Sequence, residues 1–201
     1  MYDRPEIRGA TDRFWQAIRA ALGHGPDALD RTDNPWDHWQ SPDLLLSQTC
    51  GAPYRNRLHG KVTLVATPDY DLPDCPTGHY CSAFVVRADD PRDAVADFAQ
   101  ARLAYNDKLS QSGWAAPRTY ASDRGFVFSN TVETGAHSAS ARAVVEGRAD
   151  IAALDALSWA LIQRHDGFAT GLREIARTPP TPALPYITAR DRDPEPIAAA
   201  I

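Results

Sequence analysis

The residues best suited to chemistry lie in a short polar stretch, Tyr105–Gly113, with the sequence YNDKLSQSG. It follows an apolar run and precedes a segment that can continue as a helix. A helix start leaves about four backbone N–H groups without intrahelical acceptors, and the peptide dipoles place about half a positive charge there. With the hydroxyl groups of Ser110 and Ser112, such a turn can hold a tetrahedral oxyanion without lysine or arginine. Alternatively, Ser110 or Ser112 only caps the helix.

Three further polar stretches follow predicted strands in the same way. They are Gln48–Gly51, Thr134–Ser140 (TGAHSAS) and Asp155. In an open parallel sheet, ligands bind outside the carboxyl ends of the strands, where loops lead into helices. Converging there, the four stretches would supply several donors and one carboxylate acceptor: Ser110, Ser112, His137 and Thr49 as donors, and Asp155 as the acceptor.

Each of these stretches also has a purely structural interpretation. His137 with Ser138 can cap the helix that they open, and Asp155 is a good N-cap for the helix that follows it. Gln48–Gly51 can be a tight turn. The functional interpretation is favoured because every loop expected at this edge carries small donors.

Nucleophilic catalysis is a weaker interpretation of the same residues. Ser110, His137 and Asp155 have the composition of a hydrolytic triad, but the chain has no G-x-S-x-G elbow and its serines lie in a helix-opening loop. Cys50 as a nucleophile with His137 lacks an evident group to orient the base.

The composition is that of an acidic globular protein. Apolar residues make up 43% and charged residues 23% of 201 residues, with a net charge of −5. Such a chain does not favour nucleic acid or an anionic membrane surface as a partner, so any anion must be held by local geometry. No apolar run approaches the ~20 residues of a membrane span. Met1–Pro5 shows no secretory signal, so we expect either a cytoplasmic protein or a mature or trimmed form.

The cysteines and histidines do not predict a metal site. Cys50, Cys75 and Cys81 lack the spacing of a zinc site or a redox pair. In an oxidising compartment Cys50–Cys75 or Cys75–Cys81 could form a disulfide, and three free thiols are the equal alternative. The six histidines are scattered singly. We therefore expect neither a metal nor a cofactor.

Hydrophobic periodicity predicts one helix and three strands before residue 88. The helix is Glu6–Leu22, and the strands are Leu44–Leu46, Val62–Ala66 and Tyr80–Arg87.

After Pro91 the pattern becomes an alternation of helices and strands, which implies mostly parallel sheets flanked by helices. The predicted helices lie around Val95 and Phe98, after Ser112 to about Pro117, at His137–Glu146 and at Ala156–Arg164. The predicted strands are Arg102–Tyr105, Phe126–Val132, Ile151–Leu154, Leu172–Ala176 and Tyr186–Ala189.

These elements predict two α/β lobes. Residues 1–79 with 186–201 would form a discontinuous first lobe, and residues 88–177 the second. Residues 80–87 and 178–185 would be the crossovers or hinge, because four prolines stiffen the latter segment.

The order of the motifs resembles that of a known family. A strand is followed by Asn106-Asp107, Ser110-x-Ser112-Gly113, Gly135-x-His137-x-x-Ser140, Gly147-Arg148-Ala149-Asp150 and Ala153-Leu154-Asp155. This order resembles the phosphate, phosphite and phosphonate substrate-binding proteins of ABC transporters, in the type II periplasmic-binding-protein superfamily. The resemblance covers residues 41–189, and the serine-rich segment is its specific part.

The resemblance implies an α/β, two-lobed type II periplasmic-binding-protein-like fold, shortened at both ends of the first lobe. In the family, serines and the following amides grip the phosphonyl oxygens. A histidine placed like His137 adds a donor, and an acid placed like Asp155 faces the far side. Met1 and Tyr2 would then lie at the cleft. The expected ligand-binding residues are Ser110, Gln111, Ser112, Gly113, His137, Asp155, Thr49, Cys50, Tyr80 and Tyr2.

The expected function is that of a monomeric, periplasmic substrate-binding component of an ABC importer. Its ligand would be phosphate, phosphite or a phosphonate, held at a helix N-terminus in the inter-lobe cleft and presented to permease subunits. The alternatives are an intracellular enzyme on the same scaffold, acting on a small carboxylated substrate, and a ligand-sensing module without a transporter. Fold alone does not separate these functions.

Overall fold

A computed structural model of the chain describes residues 2–31 and 34–201, so the expectation for Met1 lies outside the described residues. The chain divides into two compact units, Met1–Pro68 with Leu184–Ile201, and Asp69–Ala183. It passes from one unit to the other after Pro68 and after Ala183, whereas the crossovers were expected at residues 80–87 and 178–185. Ser82–Arg87 is a strand within the second unit. A hinge role for either segment stays a prediction.

The secondary structure alternates between strands and mostly short helices. The helices are α1 (Arg8–Leu22), α2 (Pro35–Trp39), α3 (Gly51–Pro53), α4 (Ala116–Ser122), α5 (His137–Val145), α6 (Ala156–His165) and α7 (Glu195–Ala200). The strands are β1 (Ser47–Gln48), β2 (Val62–Ala66), β3 (His79–Tyr80), β4 (Ser82–Arg87), β5 (Arg102–Tyr105), β6 (Asn130–Glu133), β7 (Ile151–Asp155), β8 (Leu172–Arg177), β9 (Thr181–Pro182) and β10 (Tyr186–Ala189). Two π-helical segments, Tyr54–Leu58 and Gln111–Ala115, adjoin α3 and α4. None of the described helices is long and apolar enough to cross a membrane.

The first unit contains a three-stranded sheet in which β10 lies between β1 and β2 and runs antiparallel to both. Its core includes Trp39, Leu58 and Ile187. The predicted helix 6–22 is confirmed as the 3-10 turn Pro5–Ile7 followed by α1, which ends at Gly23 with a φ of 74°. The amide of Gly23 donates to the carbonyl of Arg19, which closes the helix end.

The predicted strand at Leu44–Leu46 is wrong, because pairing begins only at Ser47. Leu44 is buried, and its carbonyl oxygen accepts hydrogen bonds from the amide of Ala189 (3.0 Å) and the hydroxyl of Thr188 (3.1 Å). The apolar run therefore indicates that Leu44 is buried in the core of the first unit, and not that a strand is paired there.

The second unit contains a five-stranded sheet of order β6-β5-β7-β4-β8. β5 is parallel to β6 and β7, whereas β4 is antiparallel to both β7 and β8. Four strands therefore run in one direction and β4 runs in the other. A separate two-stranded ladder joins β3 to β9.

The five-stranded sheet of the second unit is mixed, with two parallel and two antiparallel ladders. The expectation of mostly parallel sheets therefore holds there only in that four of the five strands share one direction, and it is wrong for the first unit. The same topology explains both results. β1 and β2 are joined by a helical connection and run in the same direction, but β10 arrives from the end of the chain and lies between them. β7 and β8 are likewise joined by α6 and separated by β4. In a sheet of three strands, one inserted strand makes every pair antiparallel.

Both faces of the second unit's sheet are covered, which is why its central strands are continuous apolar runs. α5 and α6 cover one face, where Val144, Trp159 and Ile162 pack. Phe98 and Tyr120 pack on the other face. The remaining predictions after Pro91 are confirmed with small changes of bounds. The exceptions are the helix near Val95, which is one 3-10 turn, and the strand from Phe126, which begins only at Asn130.

Candidate ligand-binding site

Three polar loops of the second unit meet at one edge of its sheet. In the parallel ladders Tyr105 is paired with Glu133 and Ala104 with Ala152, so β5, β6 and β7 end at the same edge. The backbone amide and the hydroxyl of Thr134 both donate to the carbonyl of Tyr105, at 2.9 and 3.0 Å. These bonds tie the loop before His137 to the loop that leads to Ser110.

Ser110 is the N-cap of the helix that runs from Gln111 to Ser122. Its backbone is extended, and its Oγ accepts a hydrogen bond from the amide of Gly113 at 3.0 Å. The capping interpretation therefore holds for Ser110. The same bond already occupies the amide of Gly113, which was expected to contact a ligand. Gln111 and Ser112 are buried in the first turn of this helix.

Gly113 is required by the close approach of Asn106. A Cβ atom at position 113 would overlap the Oδ1 atom of Asn106. That oxygen is buried and has no hydrogen-bond partner among the described residues. The glycine therefore lets the loop after β5 pack directly on the helix start, and it leaves one polar atom of Asn106 unsatisfied there.

Ser112 and His137 form the polar pair that joins two of the loops. Ser112 Oγ lies 3.0 Å from His137 Nε2, although 25 residues separate them in the sequence. Burial lowers the pKa of His137 to about 4, so the imidazole is neutral at pH 7. Its Nδ1 is buried without a partner among the described residues. The N-cap of α5 is Ala136 and has no side-chain cap, so His137 does not play the capping role considered above.

Asp155 is buried and caps α6, because its Oδ1 accepts from the amide of Ser158 at 2.8 Å. The capping interpretation therefore also holds for Asp155. In the antiparallel ladder Asp155 is paired with Ser82, and the amide of Ala156 donates to the carbonyl of Cys81 at 3.1 Å. The start of β4 thus reaches the same edge as the polar loops.

The structure adds Ser82 and Thr178, which the sequence pattern did not single out, and it shows a contact within the expected stretch Thr134–Ser140. Ser82 and Thr178 are both buried, and the amide of Ser82 donates to Thr178 Oγ1 at 3.0 Å. Thr134 Oγ1 and Ser140 Oγ lie 2.7 Å apart. The sequence could have identified Ser82, because it is a polar residue at the start of an apolar strand. Tyr80, which was expected at the site, is buried two residues earlier and pairs with Thr181.

The other expected site residues lie in the first unit. Thr49 follows β1, its amide donates to the carbonyl of Pro185 at 3.0 Å, and its buried hydroxyl has no partner among the described residues. Cys50 is the N-cap of α3. Tyr2 is half-buried, and its carbonyl accepts from the amide of Arg4. Of the ten expected ligand-binding residues, the second unit holds the remainder: Ser110, Gln111, Ser112, Gly113, His137, Asp155 and Tyr80.

At the loop edge of the second unit, the residues expected to bind the ligand offer neutral donors from Ser110, Ser112 and His137 and a carboxylate from Asp155. Across residues 2–31 and 34–201, His, Cys, Asp and Glu side chains form no cluster of three or more that could hold a metal ion. A neutral histidine beside a serine hydroxyl at a helix start can bind an anion by hydrogen bonds and the helix dipole.

Comparison with known protein families identifies the chain. The model of the family "ABC transporter, phosphonate, periplasmic substrate-binding protein" matches residues 43–201. The chain belongs to this family of phosphonate substrate-binding proteins. Its members are binding components of transporters and not enzymes, so the expected family and the non-enzymatic class are confirmed. Comparison with curated protein sequences gave no match.

Solved structures show the same fold at low sequence identity. PhnD1 from Prochlorococcus marinus (MIT 9301), in complex with methylphosphonate, has a TM-score of 0.75 at 15% identity, with 98% of this chain and 78% of that chain covered. A binding protein component of an ABC phosphonate transporter (PA3383) from Pseudomonas aeruginosa has a TM-score of 0.66 at 17% identity, over 96% and 68%. XAC2383 from Xanthomonas citri, bound to ATP, has a TM-score of 0.68 at 16% identity, over 92% and 75%. The predicted type II periplasmic-binding-protein fold of this phosphonate-binding family member is therefore confirmed.

Proposed function

We propose that this chain binds a small phosphorus oxyanion of the phosphonate type at the helix start 110–113. The observation that carries the proposal is the 3.0 Å contact between Ser112 Oγ and His137 Nε2 at the first turn of a 12-residue helix. Membership of the phosphonate family and the likeness to PhnD1, which was solved with methylphosphonate, support the same ligand class.

The hydrogen-bond directions of the two serines suit an anion. Ser110 Oγ already accepts from Gly113, so its own O–H remains to donate to a ligand oxygen. When neutral His137 donates from Nε2 to Ser112 Oγ, the Ser112 O–H is likewise left to donate, and the histidine polarises it. In this tautomer the unpartnered Nδ1 is an acceptor. A buried acceptor without a partner is tolerated better than a buried donor.

Because the side-chain donors are neutral, the negative charge of the bound anion is balanced by the positive potential at the helix start. The first backbone N–H groups of a helix have no acceptor within it, and the helix dipole adds a positive potential at this helix start. In a desolvated site such fixed dipoles hold an anion strongly and select it by shape. Contributions from Thr49, Cys50 and Tyr2 of the first unit, and from Tyr80 and Asp155, belong to this proposal as predictions.

In this proposal the chain acts as a monomer in the periplasm and delivers its ligand to the permease subunits of an ABC importer. The family supports this role, since its members are periplasmic components of such transporters. Closure by hinge motion on the ligand is the mechanism expected for this class of receptor.

Thermal shift and calorimetric titration against phosphate, phosphite, methylphosphonate, sulfate and acetate test the proposal. A ligand at 100 times its Kd adds about 2.7 kcal/mol of stability, so binding to at least one phosphorus oxyanion will raise the Tm measurably. A hydrogen bond to a charged group contributes about 1.5–3 kcal/mol, so Ser112→Ala will weaken binding by about 10- to 150-fold. Ser138→Ala is the matched control, because Ser138 is exposed next to His137. A response to acetate alone, or unchanged affinity in Ser112→Ala, would overturn the proposal.

A further inference from the structure

A cavity of about 460 Å³ lies wholly within the first unit, at one end of its three-stranded sheet. The residues that line it include three cations, Lys61, Arg190 and Arg192, together with Asp191 and Ser41. Sites for small molecules have volumes of about 300–1,000 Å³. The cavity is therefore large enough for a small ligand, and its lining is net positive in a chain of net charge −5.

This cavity lies at the opposite end of the sheet from Thr49. Tyr186, the first residue of β10, is paired with the last residue of β1, which directly precedes Thr49. Ala189, the last residue of β10, is paired with the first residue of β2. Lys61 and Arg190 directly flank this second pair. The cavity is therefore separate from the loop that carries Thr49.

Hydrogen bonds of the backbone fix the turn that carries two of the cations. The amide of Arg192 donates to the carbonyl of Ala189 at 3.1 Å, which closes a tight turn after β10. Thr63 Oγ1 donates to the carbonyl of Arg190 at 2.6 Å and ties the same turn to β2. The cations are thus held on a defined backbone at the end of the sheet.

Arg192 presents a guanidinium that is already oriented. This residue is half-buried, and its Nε donates to the carbonyl of Leu44 at 3.2 Å. Its two terminal nitrogens have no hydrogen-bond or ion-pair partner within residues 2–31 and 34–201. The outer N–H groups therefore remain available to two oxygens of one anion, which is the arrangement of a bidentate contact.

Lys61 and Arg190 occupy opposite positions just beyond the end of the antiparallel ladder. Like charges that face each other across two strands are destabilising. Both residues are exposed, and neither forms an ion pair with a carboxylate in the described part of the chain. Asp191, which lines the same cavity, is likewise in no ion pair there. An anion bound between the two cations would remove their repulsion.

Ser41 adds a neutral donor to the lining. It is half-buried, and its Oγ accepts a hydrogen bond from the amide of Asp43 at 3.2 Å. Its own O–H therefore remains to donate to a ligand oxygen. A hydroxyl beside three cations is a set of groups suited to an oxyanion.

We propose that this cavity binds a small anion that carries two or more negative charges on phosphate or carboxylate oxygens. A guanidinium fork matches the oxygen geometry of both groups, and lysine adds a compact point charge. Several charges on the ligand are favoured because three separate cations line the cavity. The site does not depend on the oxyanion site proposed at residues 110–113, which lies in the second unit and uses neutral side-chain donors.

Calorimetric titration of the full chain with pyrophosphate and with citrate tests the proposal. The two probes separate phosphate from carboxylate as the preferred group. We expect one molecule of at least one probe to bind per chain. The affinity will fall when the ionic strength is raised from low to physiological, because the cations are partly exposed to solvent.

Three variants locate the bound probe. Arg192→Gln will weaken binding by about 10-fold or more, because a charged bidentate contact is lost. The double variant Lys61→Gln/Arg190→Gln will weaken it by about 5- to 10-fold, since exposed ion pairs contribute less. Arg13→Gln is the matched control. It removes the same charge from an exposed position of α1, outside the cavity, and will change the affinity by less than about 2-fold.

Two further measurements keep the result specific. The Tm of Lys61→Gln/Arg190→Gln will equal or exceed that of the wild type, because neither side chain forms a hydrogen bond or ion pair in the described part of the chain. Saturating methylphosphonate will leave the affinity for the probe unchanged. The proposal is overturned if neither probe binds, if Arg13→Gln weakens binding as much as the cavity variants, or if methylphosphonate displaces the probe.

Discussion

The hydroxyl oxygen of Ser110 accepts a hydrogen bond from the backbone amide of Gly113 at 3.0 Å, and this bond closes the helix turn that carries Ser112. One serine of the motif therefore holds the helix start in shape, while the other contacts His137. The contribution of the Ser110 cap to stability can therefore be measured apart from the contact between Ser112 and His137.

Ser110→Ala will lower the free energy of unfolding by about 1 kcal/mol, because the amide of Gly113 loses its cap. Urea denaturation followed by far-UV circular dichroism measures this loss. Ser138→Ala serves as the control, since Ser138 is exposed and lies outside this turn. Equal midpoints for wild type and Ser110→Ala would show that the cap contributes nothing to stability.

Gly113→Ala will destabilise the protein by about 1–3 kcal/mol, because the added methyl group overlaps Asn106 Oδ1 and forces the two segments apart. In the double variant with Asn106→Ala, part of this loss will be recovered, so a double-mutant cycle of urea midpoints will show coupling. Gly9→Ala is the matched control. Its Cβ would meet only the flexible end of Arg13, at 3.5 Å, so this change in α1 will stabilise or be neutral. Strict additivity at positions 106 and 113 would contradict the proposed overlap.

The free energy of unfolding will fall as the pH is lowered from about 6.5 to 4, because of His137. The folded state holds the pKa of this side chain at about 4, below its ordinary value of 6.5, so in this range the unfolded chain binds the extra proton. At 1.36 kcal/mol for each pKa unit, the full loss is about 3 kcal/mol.

Urea titrations of wild type and His137→Gln at pH 7, 5.5 and 4 measure this effect. Carboxylates common to both proteins cancel in the comparison, so the difference between the two proteins isolates the imidazole. An equal decline in both proteins would mean that His137 is not held neutral by burial.

Asp90→Asn will cost about 2 kcal/mol at pH 7 and almost nothing at pH 2. Hydrogen bonds from the Arg92 guanidinium, at 2.7 and 2.9 Å, lower the pKa of Asp90 from 3.8 to about 2. The carboxylate therefore stabilises the fold above pH 3.8, and this contribution is lost as the pH falls to 2. Asp89→Asn is the control. Its carboxylate is largely exposed beside Arg87, so its effect will stay within about 0.5 kcal/mol. A large effect of Asp89→Asn would show that net charge, and not the Arg92 contact, sets the acid stability.

Local patterns in the sequence were sufficient to place several elements. Arg102–Tyr105 and Tyr186–Ala189 have the predicted bounds, and α5 and α6 differ from their predictions by one residue. These segments combine a clear apolar pattern with a terminator such as Gly147, so local propensity and burial agree. The motif order also identified the family, because serines, glycines and a histidine at fixed spacing do not depend on strand direction.

Strand pairing could not be read from the sequence. Leu44–Leu46 has the apolar composition of a strand, yet Leu44 packs in the core of the first unit and strand pairing starts only at Ser47. The insertion of β4 between β7 and β8, and of β10 between β1 and β2, is equally invisible locally. Strand direction depends on partners that are distant in sequence.

For the candidate site, too, some properties follow from the sequence and others only from the tertiary structure. The sequence by itself determined which side chains were available, namely small hydroxyls at a helix start, one histidine and one carboxylate, because these residue types and spacings are local properties. Only the tertiary structure decided their roles: parallel pairing of β5 with β6 and β7 brings Ser112 to His137, and burial keeps that imidazole neutral. Contact and desolvation are properties of the packed chain, so no local pattern encodes them.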